Sequence, residues 1–409
     1  MSEISRLQAS DYEEAMDFMN LVFSLGGAPT NFPHLLPKLY RPEDQLMRYN
    51  YAIKRNNKIR AVVGCFPLQM HAGRETLKIA GIGGVSTHPG ERRSGLMRKL
   101  MEAAIGDMEH DGYDLSVLGG QRQRYGYYGF EKGGSVLSFH LTKTNLRHTL
   151  RGKEGPDVTF RCIAAAPDSK HSVDSLFDSV QMRKDTVGWM IKAHADQPVF
   201  LQRPEAEFLT ILTSWDFSVW AAYENQVPAG YLVVSPNNSV SELITTKSGC
   251  AQNIAAAWLL EHDTNEFVVQ VQPSQTDISA QMAQICEYWQ IDLAYMYRIM
   301  NWPKVLKSLL QVKADMIKLP DGSLSFWLQD LNKGCSLSLE NGQAQARWLE
   351  SDQGSISLSL DSLTATRLVT GPLPAAHILT AEQLPAANEL MLLSNWFPLP
   401  FGWPMPDGV

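Results

Sequence analysis

The residues most capable of chemistry in this chain lie together in the string GIGGVSTHPGERRSGLMRKLM, residues 81–101. An apolar strand runs into a short loop that ends in Arg92-Arg93-Ser94-Gly95, and an amphipathic helix begins at once. The first amides of a helix have no intrahelical partner, and the helix dipole adds roughly half a positive charge there. Gly95 admits a phosphate to the backbone where a side chain would block it, and two guanidinium groups add donors matched to phosphate oxygens. The pattern describes an anion site for a pyrophosphate, with Val85, Ser86, Arg92, Arg93, Ser94, Gly95, Leu96 and Met97 as its candidate residues. Taken alone, R-x-x-G before a helix also fits a solvated basic loop. Gly81, Gly83 and Gly84 leave the strand narrow enough for an extended ligand arm to lie along it. GIGG opens no helix directly, so a dinucleotide fingerprint is absent, and so is the P-loop string.

The elements around this loop repeat. Before it, YAIKR and IRAVVGCFPLQM flank Asn56-Asn57, a pair suited to a tight hairpin turn, and TLKIAGIGGVS follows as a third strand. The helix after the loop carries Leu96, Met97, Leu100, Met101, Ala104, Ile105 and Met108 on one side, with Gly112 to cap it. Further upstream, Ser10 and Glu13 read as a capping box for a helix bearing Ala15, Met16, Phe18, Met19, Val22 and Phe23. The order of hairpin, strand, helix and strand recurs between residues 155 and 290: FSVWAAY and GYLVVS pair around Asn225, SELITT leads to AQNIAAAWLLEH, and FVVQVQ closes. Its junction, TTKSGCAQN, lacks the arginine-glycine loop and predicts no ligand. From Tyr297 onward come a helix (KVLKSLLQV), strands joined by Asn341-Gly342, the alternating SISLSL, and two helical stretches. The final FPLPFGWPMPDGV has no period. Such a tail usually frays, yet its apolar content points to docking.

Whole-chain properties narrow the function. A length of 409 residues exceeds one hydrophobic core, and the net charge of −7 argues against a nucleic-acid surface. The five cysteines are scattered with no CxxC spacing, and the ten histidines form no HExxH, so no metal site is expected. The cysteines read as small buried hydrophobes. No signal-peptide core or membrane-length apolar run is present, which makes the cytoplasm the expected compartment.

VSTHPGERRSGLMRKLM resembles motif A of the GNAT acetyltransferase superfamily, whose Q/R-x-x-G-x-G/A loop holds the coenzyme A pyrophosphate. Arg92 and Gly95 match, and Met97 departs at the usual small position. Tyr125-Gly126-Tyr127-Tyr128-Gly129-Phe130 resembles the Tyr-Gly-x-Phe-Gly-Tyr segment of the enhanced intracellular survival (Eis) family. The resemblance implies an α+β chain of three parts. These are a catalytic GNAT domain over residues 1–150, a degenerate GNAT-like domain over 151–295, and a sterol-carrier-like domain over 296–409. It implies acetyl-CoA as co-substrate, a primary-amine acceptor of the aminoglycoside or polyamine kind, and a hexamer, with no nucleic acid or membrane partner.

Acetyl transfer to an amine requires a proton acceptor, a donor to the thioester oxygen and a proton for the departing thiolate. Between Thr76 and Val85 there is no carboxylate, so the glutamate base common in this superfamily is missing. The Eis resemblance implies instead that the free C-terminal carboxylate, here that of Val409, is the base and that Tyr125 is the acid. The Val85 amide is then the oxyanion donor. His88 reads as a phosphate neighbour or a solvated histidine, and Asp407 as an attractor of a cationic acceptor or an exposed tail charge. Two rivals are an aminoacyl transferase using charged tRNA, which also fuses two GNAT-like domains, and a non-enzymatic acyl-CoA or lipid carrier.

Overall fold

The computed structural model describes residues 3–150, 155–167, 169, 171–262, 264–350 and 356–409. They fall into two compact units, one of residues 1–134, 293–401 and 409, the other of residues 135–292 and 402–408.

The first unit is built on a sheet of β1 (Ile4–Arg6), β2 (Asn50–Arg55), β3 (Lys58–Ala72), β4 (Glu75–Thr87) and β5 (Leu115–Leu118), in that order. The first four strands are antiparallel neighbours, and β5 runs parallel to β4. The β2–β3 turn is the expected one, with Asn56 and Asn57 both at positive φ (50° and 58°). Residues 296–299, from the strand Tyr288–Ile299, close the far side of β5. Helix α1 (Tyr12–Ser24) buries Ala15, Met16, Phe18 and Met19 but leaves Phe23 exposed. Its start differs from the Ser10–Glu13 box. A short turn over Ala9–Asp11 precedes it, Asp11 Oδ2 accepts from the Gln8 amide at 3.0 Å, and Glu13 stays exposed. Asp11 also takes an ion pair from Lys54, so tertiary contact settles which acidic residue closes the turn. Helix α2 (Leu96–His110) buries Leu96, Leu100, Met101, Ala104 and Met108 against Ala80, Ile82 and Leu118, and Gly112 past its end takes φ 68°.

The C-terminal residues of the same unit form a four-stranded sheet ordered Gln343–Leu349, Lys333–Glu340, Gly322–Leu328 and Leu358–Leu360. Asn341 and Gly342 make the tight turn, at φ 50° and 73°. Of SISLSL, Leu358–Leu360 is strand and Ser355 lies outside the described residues. The helix Trp302–Met316 ties this part to the first sheet: Asn301 Nδ2 and Lys304 Nζ donate to the buried Asp114 carboxylate at 2.9 and 2.7 Å.

The second unit repeats the first in pairing as well as in order. Val227–Val234 is antiparallel to Val240–Thr245, the helix Ala251–Glu261 follows, and Glu266–Val271 returns parallel to Val240–Thr245. Residues 137–142 then lie antiparallel to Glu266–Val271, as 296–299 lie beside β5. Each copy thus takes its last strand from the stretch that follows the other copy's core. The compact units therefore interleave along the chain.

Candidate acetyl-transfer site

Strand β4 carries the site, and its geometry begins with a bulge. Gly64 faces Gly83 and Val62 faces Ser86, so two residues of β4, Gly84 and Val85, stand opposite Val63 alone. Gly84 takes φ 60°, a conformation that suits glycine, and Ser86 Oγ donates to the Gly84 carbonyl at 3.0 Å, holding the bulge. Pairing with β5 ends where the bulge begins: the parallel register runs from Ile79–Leu115 to Ile82–Leu118 and stops. From Gly83 to Thr87 the edge of β4 has no β5 partner. Val85 and Ser86 line that split.

The split leads to the loop. His88 Nδ1 accepts from the Gly90 amide at 3.1 Å, which gives this histidine a turn to hold rather than a phosphate. Glu91 is tied down by Arg55 at 2.6 Å, and Ser94 Oγ donates to the Glu91 carbonyl at 2.5 Å. Arg92, Arg93, Ser94 and Gly95 are all exposed, and Arg93 stands at φ 67°. Gly95 caps α2 in the left-handed region (φ 79°, ψ 7°). The first intrahelical bond runs from the Lys99 amide to the Gly95 carbonyl at 3.1 Å, which leaves the amides of Leu96, Met97 and Arg98 at the helix mouth. The Leu96 side chain is buried and Met97 packs against the same core, so both offer the loop only their amides. The departure at Met97 is accommodated because its side chain turns inward.

A side chain at Gly95 would meet nothing within 4 Å, so it would project into open space at the helix mouth. Gly95→Glu is expected to weaken coenzyme A binding by about 100-fold or more through steric block and like charge. The positive φ adds roughly 1–2 kcal/mol of local strain. Calorimetric titration with coenzyme A, beside a thermal melt, checks it.

The chain's last residue lies on the same strand. A methyl built at Gly83 would fall 2.7 Å from the Val409 carboxyl carbon and 3.0 Å from its oxygen. One at Gly81 would fall 2.7 Å from a Val409 methyl and 3.1 Å from Leu68. At Gly84 it would strike Met19 and the Tyr40 hydroxyl, at 2.5 and 2.6 Å. The space these glycines leave on that face of β4 is thus taken by protein, at Gly81 and Gly83 by the C-terminus. Phe66, edge-on to Tyr40 at 5.9 Å between ring centres, walls the same side of Gly83.

Tyr125 belongs to the other face of β4. Its ring is buried in the α2 core with Ala80, Ile82, Leu96 and Leu100. It lies so close to Gly120 that a methyl there would fall 2.4 Å from Cε2. Burial raises the phenol above its usual range, and the neighbouring Arg124 guanidinium partly offsets that rise. The group therefore keeps its proton through neutral pH, the state a proton donor requires. Since successive β4 side chains alternate, Val409 and Tyr125 approach the strand from opposite faces.

Comparison with known proteins bears on the fold. Residues 3–133 match the family model described as an acetyltransferase (GNAT) domain. Those residues are a GNAT acetyltransferase domain. The chain is accordingly an N-acetyltransferase, with acetyl-CoA as the superfamily's co-substrate. Its full-length fold is similar to that of a GCN5-related N-acetyltransferase from Kribbella flavida (TM-score 0.68, 16% identity, 100% of both chains). It also resembles a probable N-acyltransferase from Enterococcus faecalis (0.68, 14%, 98% of both) and Eis1 from Mycobacterium abscessus (0.62, 12%, 100% of both). At these identities the likeness is one of fold. No curated protein sequence matches the acetyltransferase.

One residue departs from the sequence reading. Asp407, read as an exposed charge or an acceptor lure, is buried and ion-paired to Arg203 at 2.6 Å. The pair is separated by more than two hundred residues, and no local pattern marks either member. Glu75, the nearest upstream carboxylate, pairs with Lys307 at 2.8 Å and stands at the far end of β4. Among the described residues no group of three or more His, Cys, Asp or Glu side chains could hold a metal ion. No helix there is long and apolar enough to cross a membrane. The cysteines are free, four buried and Cys286 half-buried.

Proposed function

We propose that the enzyme moves the acetyl group of acetyl-CoA to a primary amine by direct attack, with the Val409 carboxylate as base and Tyr125 as acid. The observation that carries this reading is the Val409 carboxyl carbon seated over Gly83, on a strand with no carboxylate of its own between Thr76 and Val85. The pyrophosphate rests on the Arg92–Met97 loop and α2 mouth, and the thioester lies in the β4–β5 split. The Val85 amide, on the bulge, donates to the thioester oxygen as it becomes negative. Val409 takes the ammonium proton, directly or through one water, and the amine attacks the carbonyl carbon. The C–S bond then breaks as Tyr125 gives its proton to the sulfur, and the new amide nitrogen, cationic after attack, returns its extra proton to the Tyr125 phenolate. No covalent enzyme intermediate is required.

The acceptor class, an aminoglycoside or polyamine-like cation, is drawn from the Eis resemblance and is supported by a carboxylate within an aromatic-walled site. The same resemblance underlies our reading of residues 1–150 as the catalytic domain, 151–295 as its degenerate copy and 296–409 as a sterol-carrier-like domain. It also underlies a cytoplasmic hexamer. The repeated strand pairing favours the copy, and its TTKSGC junction offers no arginine to a phosphate. A panel of amines with acetyl-CoA, read by free thiol release, tests the activity: turnover is expected with polycationic primary amines. Thiol release that no amine accelerates would contradict it.

A further inference from the structure

The Tyr-Gly turn that follows Tyr125 has little of its own to hold it. Tyr125 and Phe130 are buried at its two ends, with Gly126, Tyr127, Tyr128 and Gly129 between them. A side chain at Gly126 would meet nothing within 4 Å, Tyr127 is 91% exposed, and Gly129 stands at φ 77°. Tyr128 rests half-buried against the α2 core. Two backbone bonds close the turn. The Gly129 amide donates to the Gly126 carbonyl at 3.0 Å, and the Phe130 amide to the Tyr125 carbonyl at 3.3 Å. A turn with two glycines and so few packed side chains opens easily unless something outside it holds on.

That contact comes from Arg298, 170 residues further along the chain. Its backbone is fixed on the sheet, where it faces Ser116 of β5. Nη1 donates to the Tyr128 carbonyl at 2.8 Å, and Nη2 pairs with the Glu109 carboxylate of α2 at 2.8 Å. Glu109 is half exposed, so the ion pair alone contributes little to stability. Its use is geometric: a guanidinium steadied by a carboxylate on one side holds the carbonyl on the other by a charge-assisted bond. Gly129 makes room for this approach, because a methyl built there would collide with Nη1. The second glycine of the Tyr-Gly string thus serves both its backbone angle and the seat of Arg298. Arg298, Glu109 and the whole turn lie in one compact unit.

We propose that Arg298 is a positioning residue for acetyl transfer: by holding the Tyr128 carbonyl it braces the turn that aims the Tyr125 hydroxyl at the thioester sulfur. Arg298 acts on the reaction only through Tyr125. The core grips the Tyr125 ring, but the direction of its hydroxyl follows the main chain that the turn closes. The proposal rests on the reading of Tyr125 as acid and deepens it.

The test uses the full chain, a reactive amine, acetyl-CoA and a second acetyl thioester with a more acidic thiol. Arg298→Ala is expected to lower kcat with acetyl-CoA about 10- to 100-fold, as a displacement of up to about 1 Å would. Coenzyme A affinity should be unchanged, since the Arg92–Met97 loop is untouched. The loss should shrink with the second thioester, whose thiolate needs less proton donation to leave. In a Tyr125→Phe background the same substitution should cost nothing further, because both residues act by one route. Arg298→Lys keeps the charge beside Glu109 without the fork that reaches both partners, and should show the same pattern at smaller amplitude. A thermal melt verifies the fold, and where Arg298→Ala melts below the assay temperature the lysine variant supplies the rates. Native kcat in the folded Arg298 variants would overturn the brace. So would a loss equal for the two thioesters, or one that multiplies with that of Tyr125→Phe, since Arg298 would then support the fold at large. Native kcat in Tyr125→Phe would instead defeat the reading of Tyr125 as acid, and the brace with it, whatever the Arg298 variants do.

Discussion

Replacing Tyr125 with phenylalanine is expected to lower kcat by about 10²–10⁴-fold, the usual value of a positioned acid. The ring fills the α2 core against Leu96 and Leu100, and phenylalanine keeps that packing, including the close approach to Gly120. Only the hydroxyl goes. Coenzyme A affinity should therefore hold, because the Arg92–Met97 loop is untouched. The high-pH limb of the kcat profile should change as well. In the native enzyme that limb is expected to follow loss of the phenol proton, which burial pushes upward, and in the variant it should vanish. Acyl donors with a better leaving thiolate should suffer less from the substitution, since they need less proton donation. Steady-state rates over pH for two such thioesters check the assignment, and a wild-type turnover number in Tyr125→Phe would remove it.

A single glycine added after Val409 is expected to reduce kcat and kcat/KM together by about 100-fold or more. The carboxylate moves by a residue's length, several times the ~1 Å misplacement that costs about a hundredfold. Gly83→Ala approaches the same point from the strand. Its methyl would occupy the position now 2.7 Å from the carboxyl carbon, so the terminus must shift although its sequence is native. Gly83 does not stand at positive φ, so the backbone tolerates the change. Both variants should bind coenzyme A normally. A Gly83→Ala enzyme as impaired as the extended one would locate the effect at the terminus rather than in the added residue.

Much of this was legible in the chain because it is local. Asn56-Asn57 and Asn341-Gly342 make the turns their types require, and the Arg92–Gly95 loop opens the helix where the apolar period begins. The internal copy could be read because its order repeats. What escaped is non-local. The pattern puts the start of α1 at Ser10–Glu13, but Lys54 and the Gln8 amide select Asp11. The Gly81–Gly84 run speaks of room along β4 without saying what fills it, and the filler comes from residue 409. Asp407 looks like a tail charge until Arg203 is beside it. The exchange of last strands between the two copies is equally silent, because each strand has the same alternating pattern and the pairing partner is a choice of the fold.

The most direct measurement is the rate of a semisynthetic enzyme that ends in Val409 carboxamide. The change preserves size, planar shape and the whole sequence, and exchanges one basic, accepting oxygen of the terminal group for a neutral, donating NH2. A kcat lower by about 100-fold or more, with unchanged coenzyme A affinity and partial recovery in formate, is the predicted result. A carboxamide enzyme with native kcat would contradict the account, leaving the C-terminus as packing against Gly81 and Gly83 and nothing more.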